Sequence, residues 1–150
     1  KQMERFEWML EKCTEIGVDR ITPLMTARTE RSTLRRDRLE RVLIGAMKQS
    51  QRVWLPQLDE MTTINDLIDQ GIPGQRSFGW CEGERTELGS CYRPDEDAVL
   101  LIGPEGDFTP EEAQRLIGHG FQPVGLGEAR LRTETAAVTA CSWMNLAQLV

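Results

Sequence analysis

Two glycine-punctuated segments, Leu101-Ile-Gly-Pro-Glu-Gly-Asp-Phe108 and Leu126-Gly-Glu-Ala-Arg-Leu-Arg-Thr-Glu-Thr-Ala136, hold the densest chemistry in the chain. Each follows a short apolar run and leads into a helical pattern, so each reads as a strand-to-helix turn whose bare backbone can approach a ligand. In the second, Arg130 and Arg132 flank Leu131, and Thr133, Glu134 and Thr135 follow at once. A guanidinium pair beside a carboxylate and two hydroxyls suits a polar or anionic partner. Two such turns suggest one shared pocket. The dinucleotide pattern GxGxxG and the phosphate-loop pattern GxxxxGK[ST] are both absent, which counts against the standard nucleotide folds.

The elements that must position these turns follow from periodicity. Phe6, Met9, Leu10, Cys13 and Ile16 recur at helical spacing and predict a helix over Met3–Ile16, closed by a left-handed cap at Gly17. Val18–Thr26 reads as a strand whose ladder Pro23 limits, and Thr29–Thr33 as a polar loop. Leu39, Val42, Leu43 and Ala46 mark an amphipathic helix from Arg35 to about Ser50, ended before Pro56, and Leu67 and Ile68 a short one closed by Gly71. A strand over Arg76–Glu82 leads to a turn-rich loop over Gly83–Glu96. The apolar run Ala98–Ile102 fits a strand covered on both faces, which requires helices above and below the sheet. Thr109-Pro-Glu-Glu112 combines an N-cap, a proline at the first helical position and a capping-box glutamate, opening a helix to about Gly118. A strand over Gln122–Leu126 and a helix over Thr135–Val150, with Ala136, Ala140, Met144 and Ala147 on one face, complete an α/β domain.

With 150 residues, one core is expected. A net charge of −6 argues against broad electrostatic capture of a polyanion, although Arg28, Arg31, Arg35, Arg36, Arg38, Arg41, Lys48 and Arg52 concentrate positive charge in one window. Glu30, Asp37 and Glu40 interleave with them, as on an ordinary solvated helix face. Cys13, Cys81, Cys91 and Cys141 show no CxxC pairing and His119 is the lone histidine, so no metal and reduced thiols are expected. No membrane span or signal peptide is legible, which points to the cytoplasm. The tryptophans Trp8, Trp54, Trp80 and Trp143 are expected in the core or in contacts between subunits.

The pairing of Leu101-Ile-Gly-Pro-Glu-Gly106 with Leu126-Gly127 and Leu131-Arg-Thr-Glu-Thr-Ala136 resembles the RsmE family of bacterial 16S ribosomal RNA uridine-N3 methyltransferases, within the SPOUT superfamily. The likeness continues through Glu11-Lys-Cys-Thr-Glu-Ile-Gly-Val18, Ile21-Thr-Pro23, Glu30-Arg-Ser32 and Lys48-Gln-Ser50 with Leu55-Pro56, and so covers almost the whole chain. It implies a SPOUT-type parallel sheet with helices on both faces and a C-terminal trefoil knot. It also implies S-adenosylmethionine as cofactor, a homodimer, and 16S ribosomal RNA, in the assembled small subunit, as substrate. Residues 1–150 would form the catalytic domain, the N-terminal PUA-like RNA-binding domain of such enzymes lying outside this chain. Asp107 departs from the pattern, since glycine is common there.

On that resemblance, Gly103, Gly106 and Gly127 let backbone approach the cofactor, Ile102, Leu126, Leu131 and Met25 supply apolar walls, and Thr135 and Ala136 close the cofactor site. Arg132 steadies the anion that develops when uridine N3 loses its proton, with Glu134 or Glu105 taking that proton and Glu128 ranked behind them. Arg130, Gln49 and Arg52 face the RNA. Simpler readings stand beside these: Glu134 favours a helix N-terminus in any protein, Thr133 and Thr135 suit helix caps, and Gln49 and Arg52 suit a solvated helix end. Two rival functions also remain, a non-catalytic nucleotide- or anion-binding regulatory module and a SPOUT methyltransferase for another RNA position.

Overall fold

The computed structural model describes residues 2–30 and 33–150. Lys1, and Arg31 and Ser32 of the expected polar loop and basic window, lie outside the described residues. Helix α1 (Gln2–Ile16) buries Leu10, Cys13 and Thr14. The Thr14 hydroxyl donates to the Leu10 carbonyl at 2.7 Å, so its burial leaves no polar group unpaired. The helix ends as its sequence requires: Gly17 adopts φ +124°, and the N–H groups of Gly17 and Val18 both donate to the Cys13 carbonyl at 3.0 Å.

The strand expected over Val18–Thr26 is divided. Arg20–Ile21 (β1) and Leu24–Met25 (β2) flank Thr22 and Pro23, and proline cannot donate to a ladder. Each half finds its own parallel partner further along, β1 with Gln57–Leu58 (β3) and β2 with Thr62–Thr63 (β4). Between them, α2 (Arg36–Gln49) buries Leu39, Leu43 and Ala46, and α3 (Ile64–Asp69) follows β4 with the Thr63 hydroxyl accepting from the Asp66 N–H at 3.1 Å. Helix α1 lies against α2 through Leu10, Leu39 and Leu43, with Leu58 beneath them.

The C-terminal half is a four-stranded, wholly parallel sheet of Gln75–Gly79 (β5), Thr86–Glu87 (β6), Ala98–Leu101 (β7) and Gln122–Gly125 (β8), in the order β6-β8-β5-β7. The stretch Gly83–Glu96 is therefore more than a loop: it holds β6 and a single helical turn, α4 (Leu88–Cys91). Helix α5 (Pro110–Gly118) carries the full capping box, with the Glu112 N–H on the Thr109 hydroxyl at 3.1 Å and the Thr109 N–H on the Glu112 carboxylate at 2.8 Å. Helix α6 spans Thr133–Ala147, opening two residues earlier and ending three earlier than its pattern suggests.

Both faces of the sheet are covered. Leu101 and Val99 of β7 pack with Phe78, Phe108, Leu116 and Phe121 on the α3 and α5 side, while Leu100 meets Leu88, Val124, Ala140 and Met144 on the α4 and α6 side. That is why a four-residue edge strand reads as a continuous apolar run. The molecule is thus a mixed α/β domain with parallel ladders and helices on both sides of its main sheet. The tryptophans divide between the two places expected of them: Trp80 joins the core cluster, while Trp8, Trp54 and Trp143 are exposed, where a contact between subunits could use them. Among the described residues no helix is long and apolar enough to cross a membrane.

Candidate functional site

Because β5 to β8 all run the same way, their carboxyl ends share one edge of the sheet. Three loops leave that edge: Trp80 to Arg85 after β5, Ile102 to Thr109 after β7, and Leu126 to Arg132 after β8. Ligands of open parallel sheets lodge at such an edge, where strand ends supply free backbone and helix starts supply positive dipoles.

The two glycine segments meet there. The Thr133 hydroxyl, at the first residue of α6, donates to the Gly103 carbonyl oxygen at 3.0 Å. Thr133 is thus a bridge between the turns rather than a helix cap, a position that Arg132 occupies without a side-chain cap bond. Gly103 is buried, and a Cβ there would stand 3.2 Å from the Phe108 ring and backbone N, so a side chain would fit only if the ring or the turn gave way by a few tenths of an ångström. Gly127 adopts φ +93° with open space in front of its Cα, while its N–H donates to the Glu87 carboxylate at 2.8 Å. The Arg28 guanidinium, arriving from the segment after β2, holds the Gly106 carbonyl oxygen.

The third loop is one that sequence reasoning missed. Its Cys81 N–H donates to Asp107 Oδ2 at 3.2 Å, and Arg85 Nη1 donates to the Cys81 carbonyl at 3.0 Å. Partial desolvation and then the neighbouring Asp107 carboxylate push the Cys81 thiol above its ordinary value, against the opposing pull of Arg130 and Arg85. A signal existed in Asp107, a charged residue where the turn pattern favours glycine.

The expected residues are distributed as follows. Ile102, Leu126 and Leu131 are half-buried at the strand ends, and Ile102 Cδ1 reaches to 3.6 Å from where a Cβ of Gly79 would stand. Thr135 and Ala136 are half-buried in the first turn of α6, and Met25 is half-buried at the end of β2, three residues before the Arg28 that holds the Gly106 carbonyl. Arg130, Arg132, Glu105 and Glu128 are exposed. Glu134 is the most enclosed of the three candidate bases, its side chain 13% exposed, and its partner is Arg5 of α1 at 3.8 Å. The arrangement offers apolar walls, bare backbone and the exposed guanidinium groups of Arg130 and Arg132, suited to a flat heterocycle with a polar tail.

Arg52 has a structural task that its sequence context does not announce. Its guanidinium donates to the Glu15 carbonyl at 3.0 and 3.1 Å and to the Ile16 carbonyl, which Asn145 of α6 also engages, and it lies 5.3 Å from the Trp54 ring centroid. The last carbonyls of a helix lack intrahelical partners, and Arg52 supplies them. Asn145 stands roughly 18 Å along α6 from Thr133 at 1.5 Å per residue, so this cluster is remote from the glycine turns. Gln49, exposed at the end of α2, belongs to the same neighbourhood. Arg52→Ala is expected to cost about 1.5–3 kcal/mol of stability by chemical denaturation, the usual range for hydrogen bonds to a charged group, and to leave ligand binding at the glycine turns intact.

Comparison with known proteins matches residues 1–145 to the RNA methyltransferase domain. A relative from Synechocystis sp., named ribosomal RNA small subunit methyltransferase E, is 32% identical over 93% of this chain and 48% of its own length. Among solved structures, one described as a probable rRNA-methyltransferase from Porphyromonas gingivalis superposes with a TM-score of 0.93 at 41% identity, covering 99% of this chain and 64% of that one. Ribosomal RNA small subunit methyltransferase E from Neisseria gonorrhoeae, solved bound to S-adenosyl methionine, gives a TM-score of 0.84 at 29% identity over 95% of this chain and 61% of that one. The chain spans about half to three-fifths of the length of the first curated relatives it matches. With the parallel sheet, its three carboxyl-edge loops and a match over nearly every residue, the chain belongs to the RNA methyltransferase domain family.

Proposed function

We propose that this chain is the catalytic domain, residues 1–150, of a longer S-adenosylmethionine-dependent enzyme that methylates N3 of a uridine in 16S ribosomal RNA. The observation that carries the reading is the Thr133 to Gly103 hydrogen bond, which joins the two glycine turns into one cradle at the carboxyl edge. The cradle's chemistry fits the cofactor. Open space before Gly127 and half-buried Ile102, Leu126 and Leu131 suit an adenine ring, and the relatives' names and the cofactor bound in the Neisseria structure point the same way. The family likeness further supports a trefoil-knotted path for the C-terminal segment, and exposed Trp143 and Leu146 on α6 support a homodimer, working in the cytoplasm on the small subunit.

When bound, S-adenosylmethionine supplies an electrophilic methyl group on a sulfonium. The chain's own residues then have two duties. Ile102, Gly103, Gly127 and Leu131 hold the donor in place, since orientation alone is worth effective molarities of about 10⁵–10⁸ M in well-aligned cases. Arg132, exposed and without an ion-pair partner among the described residues, meets the negative charge that spreads over the uracil carbonyl oxygens as the N3 proton leaves. Glu105, exposed and without an ion-pair partner among the described residues, takes that proton, whereas Glu134 is already engaged by Arg5. Arg130 draws in a backbone phosphate.

Calorimetry tests the reading: S-adenosylmethionine is expected to bind with no competition from ATP or NAD. Binding of ATP or NAD with no response to S-adenosylmethionine would instead mark a regulatory nucleotide sensor. Nucleoside mass spectrometry of small-subunit RNA after reaction distinguishes N3-methyluridine from methylation elsewhere.

A further inference from the structure

Asp107 combines three properties that rarely coincide. It is the one buried charged residue among the described residues, 7% exposed, and no cation pairs with it among those residues. It also adopts φ +65°, a left-handed conformation that L side chains take at a cost. Its N–H closes the glycine turn on the Pro104 carbonyl at 2.8 Å. Each carboxylate oxygen accepts from a different backbone amide, Oδ1 from Phe108 at 2.8 Å and Oδ2 from Cys81 at 3.2 Å.

A glycine would make this turn without strain and without a buried charge, so turn formation alone does not explain the aspartate. What the carboxylate adds is a link between two loops. An ionised acceptor strengthens a hydrogen bond from a backbone amide, and here one such bond, at 3.2 Å, crosses from the turn after β7 to the loop after β5. Neighbouring contacts restrain the same two loops from other sides: Arg28 on the Gly106 carbonyl, Arg85 on the Cys81 carbonyl, and Thr133 on the Gly103 carbonyl.

We infer that Asp107 is a positioning residue for the cofactor, clamping the Cys81 loop to the Gly103–Gly106 turn so that the cradle is preset before ligand arrives. The inference rests on the methyltransferase reading of the same site. Preorganised walls spare the ligand the entropy of ordering them, so loosening the clamp weakens binding without removing any group that touches the ligand.

The test uses Asp107→Gly, which accepts the left-handed backbone, and Asp107→Asn, which keeps the shape but offers only one acceptor oxygen. In both, the Cys81 amide should lose hydrogen-exchange protection while the Phe78 amide of the core keeps it. The S-adenosylmethionine Kd and KM should rise about tenfold, with kcat at saturating cofactor falling less than threefold, the scale of one lost charge-assisted bond. A wholly structural role would lower Tm and leave the Kd below Tm unmoved, and that result overturns the inference. If Asp107→Gly does not fold, Asp107→Asn decides. A wild-type chain that binds no S-adenosylmethionine overturns the underlying reading and the inference with it. A wild-type chain that binds, with variants that bind equally, overturns the inference alone.

Discussion

Arg132→Ala is expected to lower turnover by about 10²–10³-fold while cofactor affinity stays within about threefold, the scale seen when one preorganised donor to a developing oxyanion is removed. The separation follows from where the residue stands. Its backbone carbonyl accepts the Ala136 N–H at 2.8 Å as the start of α6, so the main chain is fixed whatever the side chain is. The side chain itself is exposed at the N-cap position and makes no ion pair among the described residues, so its removal leaves no buried charge stranded. Stability should therefore change by less than about 0.5 kcal/mol, as for most surface substitutions away from such features. Arg132→Lys sharpens the test. Lysine keeps the charge but loses the planar fork that matches a uracil-like anion, so a partial loss of about tenfold is expected. Single-turnover methylation of small subunits, paired with calorimetry of S-adenosylmethionine, reads both quantities. Unchanged turnover in Arg132→Ala would remove the residue from the chemistry.

What the sequence made legible was whatever local chemistry decides. The Thr109, Pro110 and Glu112 cap needs only four consecutive residues, and it forms in full. Gly17 closes α1 because its left-handed φ depends on its own missing Cβ. The short ladders were not legible: β3 and β4 are two residues each, too brief for any alternation to register, and they exist because β1 and β2 need parallel partners from far along the chain. The same holds within the site. The meeting of the Gly103 and Thr133 segments was expected from their composition, but the atom that joins them was not, since a threonine at a helix start suggests a cap first. The structural task of Arg52 was not legible either. A basic residue after a helix reads as surface charge, and only the packing of α1 against α6 reveals the carbonyls it satisfies.

Phe108→Ala is expected to be the most destabilising single change at the site, by about 3–5 kcal/mol, because a fully buried ring leaves both lost transfer energy and a cavity. For a chain of this size that corresponds to a fall in Tm of roughly 6–20 °C, at about 2–4 °C per kcal/mol. The ring stands edge-on to Phe78, centroids 5.7 Å apart at 87°, and packs with Leu101, Ala113 and Leu116 beneath the sheet edge. It is also the floor of the cradle, since it fills the space that a side chain on Gly103 would need. Losing it should let the Gly103 carbonyl drift from the Thr133 hydroxyl, so cofactor affinity should fall further than stability alone explains. Phe121→Ala separates the two effects. Phe121 is buried in the same cluster but precedes β8, at the strand's amino end, away from the three loops. Its removal should cost a similar few kcal/mol in denaturation and leave the S-adenosylmethionine Kd, measured below Tm, within about twofold. Equal losses of affinity in the two variants would mean that the core supports the cradle only through global stability, and that the ring behind Gly103 has no private role in shaping it.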